Sequence, residues 1–99
     1  HNGLDIAAPW GSALKAAMAG RVIGTGFDHV SGNYIIINHH SGYRSFYGHL
    51  SNIRVKTGDY VQLGQRIGDV GSTGYSTGSH VHFTVYKNGR TVNPLYLLR

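Results

Sequence analysis

The stretch His80–Arg90, "HVHFTVYKNGR", predicts a β-strand that turns back on itself and thereby favours one fold class for the chain. Apolar residues alternate with polar ones along it, so one face of the strand is predicted to lie in the core. These apolar residues are Val81, Phe83 and Val85. Asn88-Gly89 is the strongest short signal for a two-residue hairpin turn. His80 and His82 share the opposite face, where burying two imidazoles side by side costs free energy unless something binds them.

Composition predicts a single all-β domain. The 99 residues are 40 % hydrophobic and 13 % charged, which is typical of a globular chain. Fifteen glycines and seven tyrosines favour short strands joined by tight turns, and no segment keeps the apolar period of a long helix. No apolar run approaches the ~20 residues of a membrane span, so we expect none in this chain.

Two segments resemble the half-motifs of biotinyl/lipoyl-type barrel-sandwich domains. They are "LKAAMAGRVIGTG" at residues 14–26 and "VKTGDYVQLGQRIGDVG" at residues 55–71. This resemblance implies a barrel-sandwich-like arrangement of strands. A carrier domain also needs a lysine at a Met-Lys-Met-like hairpin tip, which this sequence lacks, so a carrier function is set aside.

Charge and cysteine content narrow the classes of partner and of site. The chain has no cysteine, which excludes disulfides, thiolate catalysis and cysteine ligands for zinc. Nine Lys and Arg against four Asp give a net charge of +5, which indicates an anionic partner such as nucleic acid, a membrane surface or an acidic cell-wall polymer. The cations are scattered as single residues, so we expect no nucleic-acid binding.

The seven histidines fall into two groups. His29 and His40 are predicted to be exposed, and His39 is predicted to support a neighbouring ligand at most. The remaining four, together with Asp5, form the candidate site: His1, His49, His80 and His82. A hydrolytic zinc site takes three protein ligands and leaves one position to water. One carboxylate and two imidazoles of this set suffice for zinc and leave two imidazoles for other roles.

His49 closes the alternating stretch "GYRSFYGHL" at residues 42–50. Strict alternation places every second residue on one face of a strand. His49 is therefore expected to share a face with Tyr43 and Tyr47.

Three motifs in this order resemble those of the M23 (LytM/lysostaphin-like) zinc metallopeptidases. They are "HxxxD" at His1–Asp5, "YGHL" at Tyr47–Leu50 and "HVHF" at His80–Phe83. The segments "GNYIII", "STGSHVHF" and "KNGRTVNPL" extend the resemblance over essentially the whole chain. A departure falls at His40, where the family usually has Gly, and it does not touch a chemical position.

The resemblance implies a site and an activity. It implies one Zn²⁺ per chain, held by His1, Asp5 and His82, in a compact antiparallel β-sheet domain with a loop-walled groove. It further implies that His49 and His80 act on the attacking water and on the developing oxyanion, in roles that the sequence does not divide between them. The implied reaction is hydrolysis of the peptide cross-links of bacterial peptidoglycan, and we expect a D,D-endopeptidase.

The surroundings of the site follow from the same reading. Four residues are expected to line the substrate groove: Asn33, Tyr43, Tyr47 and Tyr75. Residues 1–99 are expected to be the catalytic domain of a longer envelope protein, periplasmic or extracellular, with an upstream segment as a regulatory partner. The alternative is a non-catalytic M23-like scaffold or activator of cell-wall hydrolases, which the presence of all five chemical residues disfavours.

Overall fold

The computed structural model describes residues 3–74 and 78–93, and these residues form nine β-strands and no helix. In chain order the strands are β1 Leu4–Ala7, β2 Ala13–Lys15, β3 Gly20–Asp28, β4 Gly32–Asn38, β5 Tyr43–Ile53, β6 Tyr60–Val61, β7 Arg66–Val70, β8 His80–Lys87 and β9 Arg90–Val92. The all-β prediction is confirmed. The described part of the chain therefore offers no helix that could span a lipid bilayer.

The strands form one antiparallel sheet with β8 and β5 near its centre. Its main path runs β1-β8-β5-β4-β3-β6, while β9 pairs with β8, and β7 pairs with both β2 and β5. This path is open, so the sheet is not closed into a barrel. Consecutive pairing of β3, β4 and β5 through short turns follows from the glycine-containing turns between them.

Strand β8 has one apolar face and one polar face, as its sequence predicts. Val81, Phe83 and Val85 are fully buried, and the Phe83 ring lies 5.2 Å from the Tyr47 ring between centroids. Asn88 and Gly89 both adopt positive φ angles, 51° and 82°, as a two-residue type I′ hairpin requires. The structure therefore confirms two predictions, the buried apolar face of β8 and the hairpin turn at Asn88-Gly89.

A chain of hydrogen bonds crosses the core beneath β5. The Ala17 N–H donates to Tyr47 Oη at 3.2 Å, and Tyr47 Oη lies 3.0 Å from Ser45 Oγ. His39 bonds to Ser45 Oγ through Nε2 at 2.7 Å and to the Ala19 carbonyl oxygen through Nδ1 at 2.7 Å. A carbonyl only accepts, so Nδ1 carries the proton. Burial lowers the pKa of His39, against the opposing bond to Ala19, and the neutral ring then accepts from Ser45 at Nε2.

The position of Tyr47 corrects one prediction. Its side chain is 2 % exposed, and its hydroxyl is held by the hydrogen-bond chain of the core. Burial raises the pKa of Tyr47, with smaller opposing effects of Ser45 and Ala17. Tyr47 therefore packs in the interior and does not line the groove, because the sheet turns this face of β5 towards the core.

Asp69 of β7 binds two arginines, Arg54 directly after β5 and Arg66 at the start of β7. The Arg54 Nε donates to both carboxylate oxygens, at 2.9 and 3.1 Å, and Arg66 Nη2 donates to Oδ1 at 2.6 Å. The hydrogen bond from Arg54 lowers the pKa of Asp69 to about 2, aided by Arg66 and Asn52 and opposed by burial. The folded chain thus holds this carboxylate in its ionised form.

Replacing Tyr47 tests its assignment to the core. Tyr47→Phe keeps the ring but removes the acceptor of the partly buried Ala17 N–H and the hydrogen-bond partner of the buried Ser45 hydroxyl, so we expect the free energy of unfolding to fall by about 1–3 kcal/mol. Urea unfolding followed by circular dichroism measures this change. Tyr43→Phe is the matched control, because Phe keeps the ring beneath the Lys87 ammonium group, and it is expected to change stability by less than about 0.5 kcal/mol. Equal losses in the two variants would contradict the assignment.

The Asp69 cluster predicts a loss of stability in acid. The pKa of Asp69 is lower in the folded chain than its ordinary value of 3.8, so the stabilisation is present above pH 3.8 and is lost as the pH falls through about 2. We expect Asp69→Asn to flatten the fall in unfolding free energy across this window. Asp59→Asn, which removes an exposed ion pair with Lys56, is the control and should keep the steep fall. Parallel curves for wild type and Asp69→Asn would refute the prediction.

Candidate active site

The pairing of β1 with β8 brings Asp5 and the histidine pair together. Asp5 lies opposite His82 in the register of the two strands, although 77 positions separate them in sequence. The His82 Nδ1 lies 2.9 Å from Asp5 Oδ1, and the His80 Nε2 lies 3.6 Å from the same oxygen. One exposed carboxylate therefore faces both imidazoles of β8.

His49 joins this cluster from β5. Its ring centroid lies 4.9 Å from that of His80 and 6.2 Å from that of His82. Four of the five residues assigned to chemistry from the sequence thus converge: Asp5, His49, His80 and His82. The fifth, His1, lies outside the described residues.

His49 reaches the cluster through a break in the alternation of β5. Its φ angle is 64°, a left-handed conformation that is uncommon for a residue other than glycine, and its N–H donates to the Ser31 carbonyl at 2.6 Å. Such a local break re-aims one side chain while the strand continues. Tyr47 consequently lies in the core while His49 enters the site, so the expectation that these two residues share a face is wrong.

Backbone carbonyls fix the tautomers of two rings. The His49 Nδ1–H donates to the Thr73 carbonyl at 2.7 Å, and the His80 Nδ1–H donates to the Gly78 carbonyl at 2.9 Å. In each neutral ring, Nε2 is then the basic nitrogen. For His80 this nitrogen faces Asp5, and for both residues it is the atom able to exchange a proton with a bound substrate or water.

Thr73 supports His49 through several hydrogen bonds, a role that the sequence does not predict. Besides offering its carbonyl to His49, Thr73 donates from Oγ1 to the Leu50 carbonyl at 2.7 Å and accepts the Asn33 N–H at 3.1 Å. Gly32 and Gly74, at φ angles of 65° and 73°, allow these two loops to touch, since a methyl group on either would overlap the opposing backbone. The glycines of "GSTG" at residues 71–74 favour a turn, but the role of Thr73 within it depends on this tertiary contact.

Gly3 and Thr84 hold the ring of His82 from two sides. A methyl group at Gly3 would overlap Cε1 and Nε2 of His82, so glycine is required for the ring to lie there. Thr84 Oγ1 lies 3.2 Å from the same Nε2, which turns Nδ1 towards Asp5. The two-residue period of β8 places Thr84 beside His82, and this signal was available in the sequence.

The donor set facing Asp5 is suited to zinc. Tetrahedral zinc ligands at ~2.0–2.2 Å from the metal lie roughly 3.3 Å from one another, close to the 2.9 Å between Asp5 Oδ1 and His82 Nδ1. The hydrogen bond from His82 lowers the pKa of Asp5, opposed by burial and reinforced by His80, so the anionic form is favoured. Within residues 3–74 and 78–93, no three such side chains are grouped closely enough to hold a metal by themselves.

The residues predicted to line the groove are dispersed. The side-chain amide of Asn33 donates to the backbone carbonyl of Leu50, the residue after His49, at 2.9 Å. Tyr43 lies at the opposite end of β5, beneath Lys87 and roughly 20 Å along the strand from His49 at ~3.4 Å per residue. Tyr47 is a core residue, as described above, and Tyr75 lies outside the described residues.

Comparisons with known proteins agree on the type of domain. The sequence model of Peptidase family M23 matches residues 1–94. The peptidoglycan DD-endopeptidase ShyA of Vibrio cholerae is 43 % identical over 95 residues, which cover 96 % of this chain and 22 % of ShyA. The chain spans between 20 % and 25 % of the length of ShyA and of seven other curated relatives.

Two solved structures share the fold. A zinc-containing peptidase from Vibrio cholerae superposes with a TM-score of 0.91 at 42 % identity, covering 94 % of this chain and 29 % of that one. The catalytic domain of the antimicrobial peptidase lysostaphin from Staphylococcus simulans gives a TM-score of 0.91 at 38 % identity, covering 100 % of this chain and 80 % of that one. These similarities bear out the fold and the resemblance drawn from the three motifs.

Adding a methyl group at Gly3 tests whether the position of the His82 ring matters for metal binding. Gly3→Ala displaces the His82 ring, so we expect zinc affinity, measured by calorimetric titration, to fall about 10- to 100-fold. Gly24→Ala is the control, because a methyl there makes only ordinary contact with Ile36. Unchanged affinity in Gly3→Ala would show that the ring position does not matter for metal binding.

Proposed function

The chain belongs to peptidase family M23, and we propose that it is a zinc-dependent endopeptidase that hydrolyses the peptide cross-links of bacterial peptidoglycan. The observation that carries the proposal is the convergence of His49, His80 and His82 on Asp5. Such a cluster combines a metal-binding pair with two further imidazoles, which is more than a purely structural metal site needs.

We assign the metal to His1, Asp5 and His82. The pair within the described residues supplies one anionic oxygen and one imidazole nitrogen at a suitable separation. Bound zinc supplies Lewis-acid chemistry, polarising a water molecule and the scissile carbonyl.

His49 and His80 divide the proton transfers. Each carries its proton at Nδ1, on a backbone carbonyl, so each offers Nε2 to the reaction. One of them takes the proton of the attacking water at Nε2 and returns it to the leaving amine. The other acts in its protonated form, with a second proton at Nε2 that it donates to the oxygen that gains negative charge. The carbonyl anchors keep both rings oriented throughout, so little reorientation is needed when the proton moves.

The substrate assignment rests on the relatives and on charge. ShyA is a peptidoglycan DD-endopeptidase, so we propose that the bond cleaved by this chain is the D,D cross-link of its substrate. The net charge of +5 attracts the carboxylates of stem peptides and cross-bridges. A periplasmic or extracellular location and a regulatory segment in a longer protein belong to the same proposal.

The test combines metal content, cleavage and two variants. We expect elemental analysis to give about one zinc per chain, and purified peptidoglycan to release free amines until a chelator is added and again once zinc is restored. His49→Ala and His80→Ala are expected to retain zinc and to lower kcat by about 10²- to 10⁴-fold, because each removes a proton carrier. His40→Ala is the matched control, since the side chain of this exposed histidine bonds only to Ser41 among the described residues.

Each departure from this result has a distinct meaning. A chain without zinc is no zinc peptidase. Zinc without cleavage would favour the scaffold or activator of cell-wall hydrolases. A variant of His49 or His80 that keeps near-full activity would remove that residue from the catalytic pair.

A further inference from the structure

The sheet face that carries His82 continues beyond the histidine cluster. Along β8 and β5 the register pairs His82 with Gly48, Thr84 with Phe46, and Tyr86 with Arg44. Residues directly opposite in an antiparallel pair lie on the same face. The same face of the two strands therefore runs from the histidines to Arg44, with the buried side chain of Thr84 between them.

A cleft of about 480 Å³ opens at the far end of this face. Its lining includes Ile36, Asn38, Arg44, Phe46, Tyr86 and Asn88. The Asn88 side chain fills the space over Gly42, whose φ angle is 78° and whose missing methyl group leaves room for it. The Phe46 ring is stacked on Tyr34, 5.7 Å between centroids, which fixes one wall. The cleft thus combines aromatic walls with a guanidinium and two amides.

Arg44 brings a positive charge to the cleft that no carboxylate in the described residues neutralises. The four aspartates are engaged elsewhere: Asp5 with His82, Asp28 with the N–H groups of Val30 and Ser31, Asp59 with Lys56, and Asp69 with Arg54 and Arg66. Arg44 is exposed, and its planar guanidinium can bind a carboxylate through two parallel hydrogen bonds. An anionic ligand is therefore the partner that this cleft fits.

The spacing sets where the anion sits in a bound peptide. Four residues of β5 separate Arg44 from Gly48, the partner of His82, which corresponds to ~13 Å along the strand. An extended peptide advances ~3.3–3.6 Å per residue, so a substrate that lies along the strands reaches Arg44 with its third or fourth residue.

We propose that Arg44, with Asn38, Asn88 and Tyr86, forms a subsite for a free carboxylate of the stem peptide three or four residues from the scissile bond. This inference rests on the proposed peptidase function. It makes Arg44 a specificity-determining residue, which binds substrate without taking part in the proton transfers.

Two synthetic D,D-cross-linked stem peptides test the subsite. One keeps its carboxylate three residues from the scissile bond, and the other is amidated at that carboxylate only. With the zinc-loaded chain we expect Arg44→Gln to raise KM about tenfold for the first peptide, with kcat within twofold, and to leave the amidated peptide unaffected. Lys56→Gln, which removes the same charge from the turn between β5 and β6, should change neither.

A binding arm separates failure of the subsite from failure of the function. Dissociation constants of fluorescently labelled forms of both peptides are measured in the His80→Ala background, with and without Arg44→Gln. Tighter binding of the carboxylate peptide that depends on Arg44 supports the subsite even where wild type cleaves neither peptide, a result that would remove only the peptidase proposal. Equal binding of the two peptides, or equal loss for both in Arg44→Gln, overturns the subsite.

Discussion

The antiparallel pairing of β1 with β8 is the interaction on which the candidate site depends. It places Asp5 opposite His82 and within reach of His80, and no local feature of either segment could do so across 77 positions. The pairing requires a core face and a chemical face on the same strand, and β8 has both because Val81, Phe83 and Val85 alternate with the histidines. Packing and chemistry are therefore set by one period-two pattern, so a one-residue slip in register would bury the histidines and expose the core.

How far the sequence predicts this molecule depends on the range of the interactions involved. The faces of β8 and the Asn88-Gly89 hairpin are properties of neighbouring residues, and the sequence predicts both correctly. The sequence predicts a catalytic role for His49 but places its side chain on the wrong face, because a single left-handed residue reverses the alternation after Tyr47. The roles of Thr73 and Gly3 cannot be predicted from the sequence, because they arise only when distant loops or strands come into contact. The tyrosines of β5 show the same limit, since the sequence alone does not tell whether a tyrosine side chain is buried in the core or exposed at the surface.

Polar groups are treated differently on the two sides of β5. On the core side, hydrogen bonds join the hydroxyls of Ser45 and Tyr47 to the ring of His39. The burial of His39 lowers its pKa and so favours the neutral ring. On the site side, His49 and His80 each use Nδ1 for a hydrogen bond to a backbone carbonyl, which leaves Nε2 as the basic nitrogen of the neutral ring. One strand thus separates an imidazole whose hydrogen bonds are all internal from imidazoles that can exchange protons with a ligand.

Strand β1 is four residues long, mostly exposed, and paired with β8 alone within the described residues. It is therefore an edge strand, and edge strands fray at a smaller free-energy cost than the interior of a sheet. Fraying of β1 would carry Asp5 away from the histidines while leaving the hydrophobic core intact, so the site can be dismantled without unfolding the domain. Any ligand that bridges Asp5 and His82 stabilises the pairing of β1 with β8, because it binds only when the two strands are together. Binding at the site and ordering of this edge are therefore coupled.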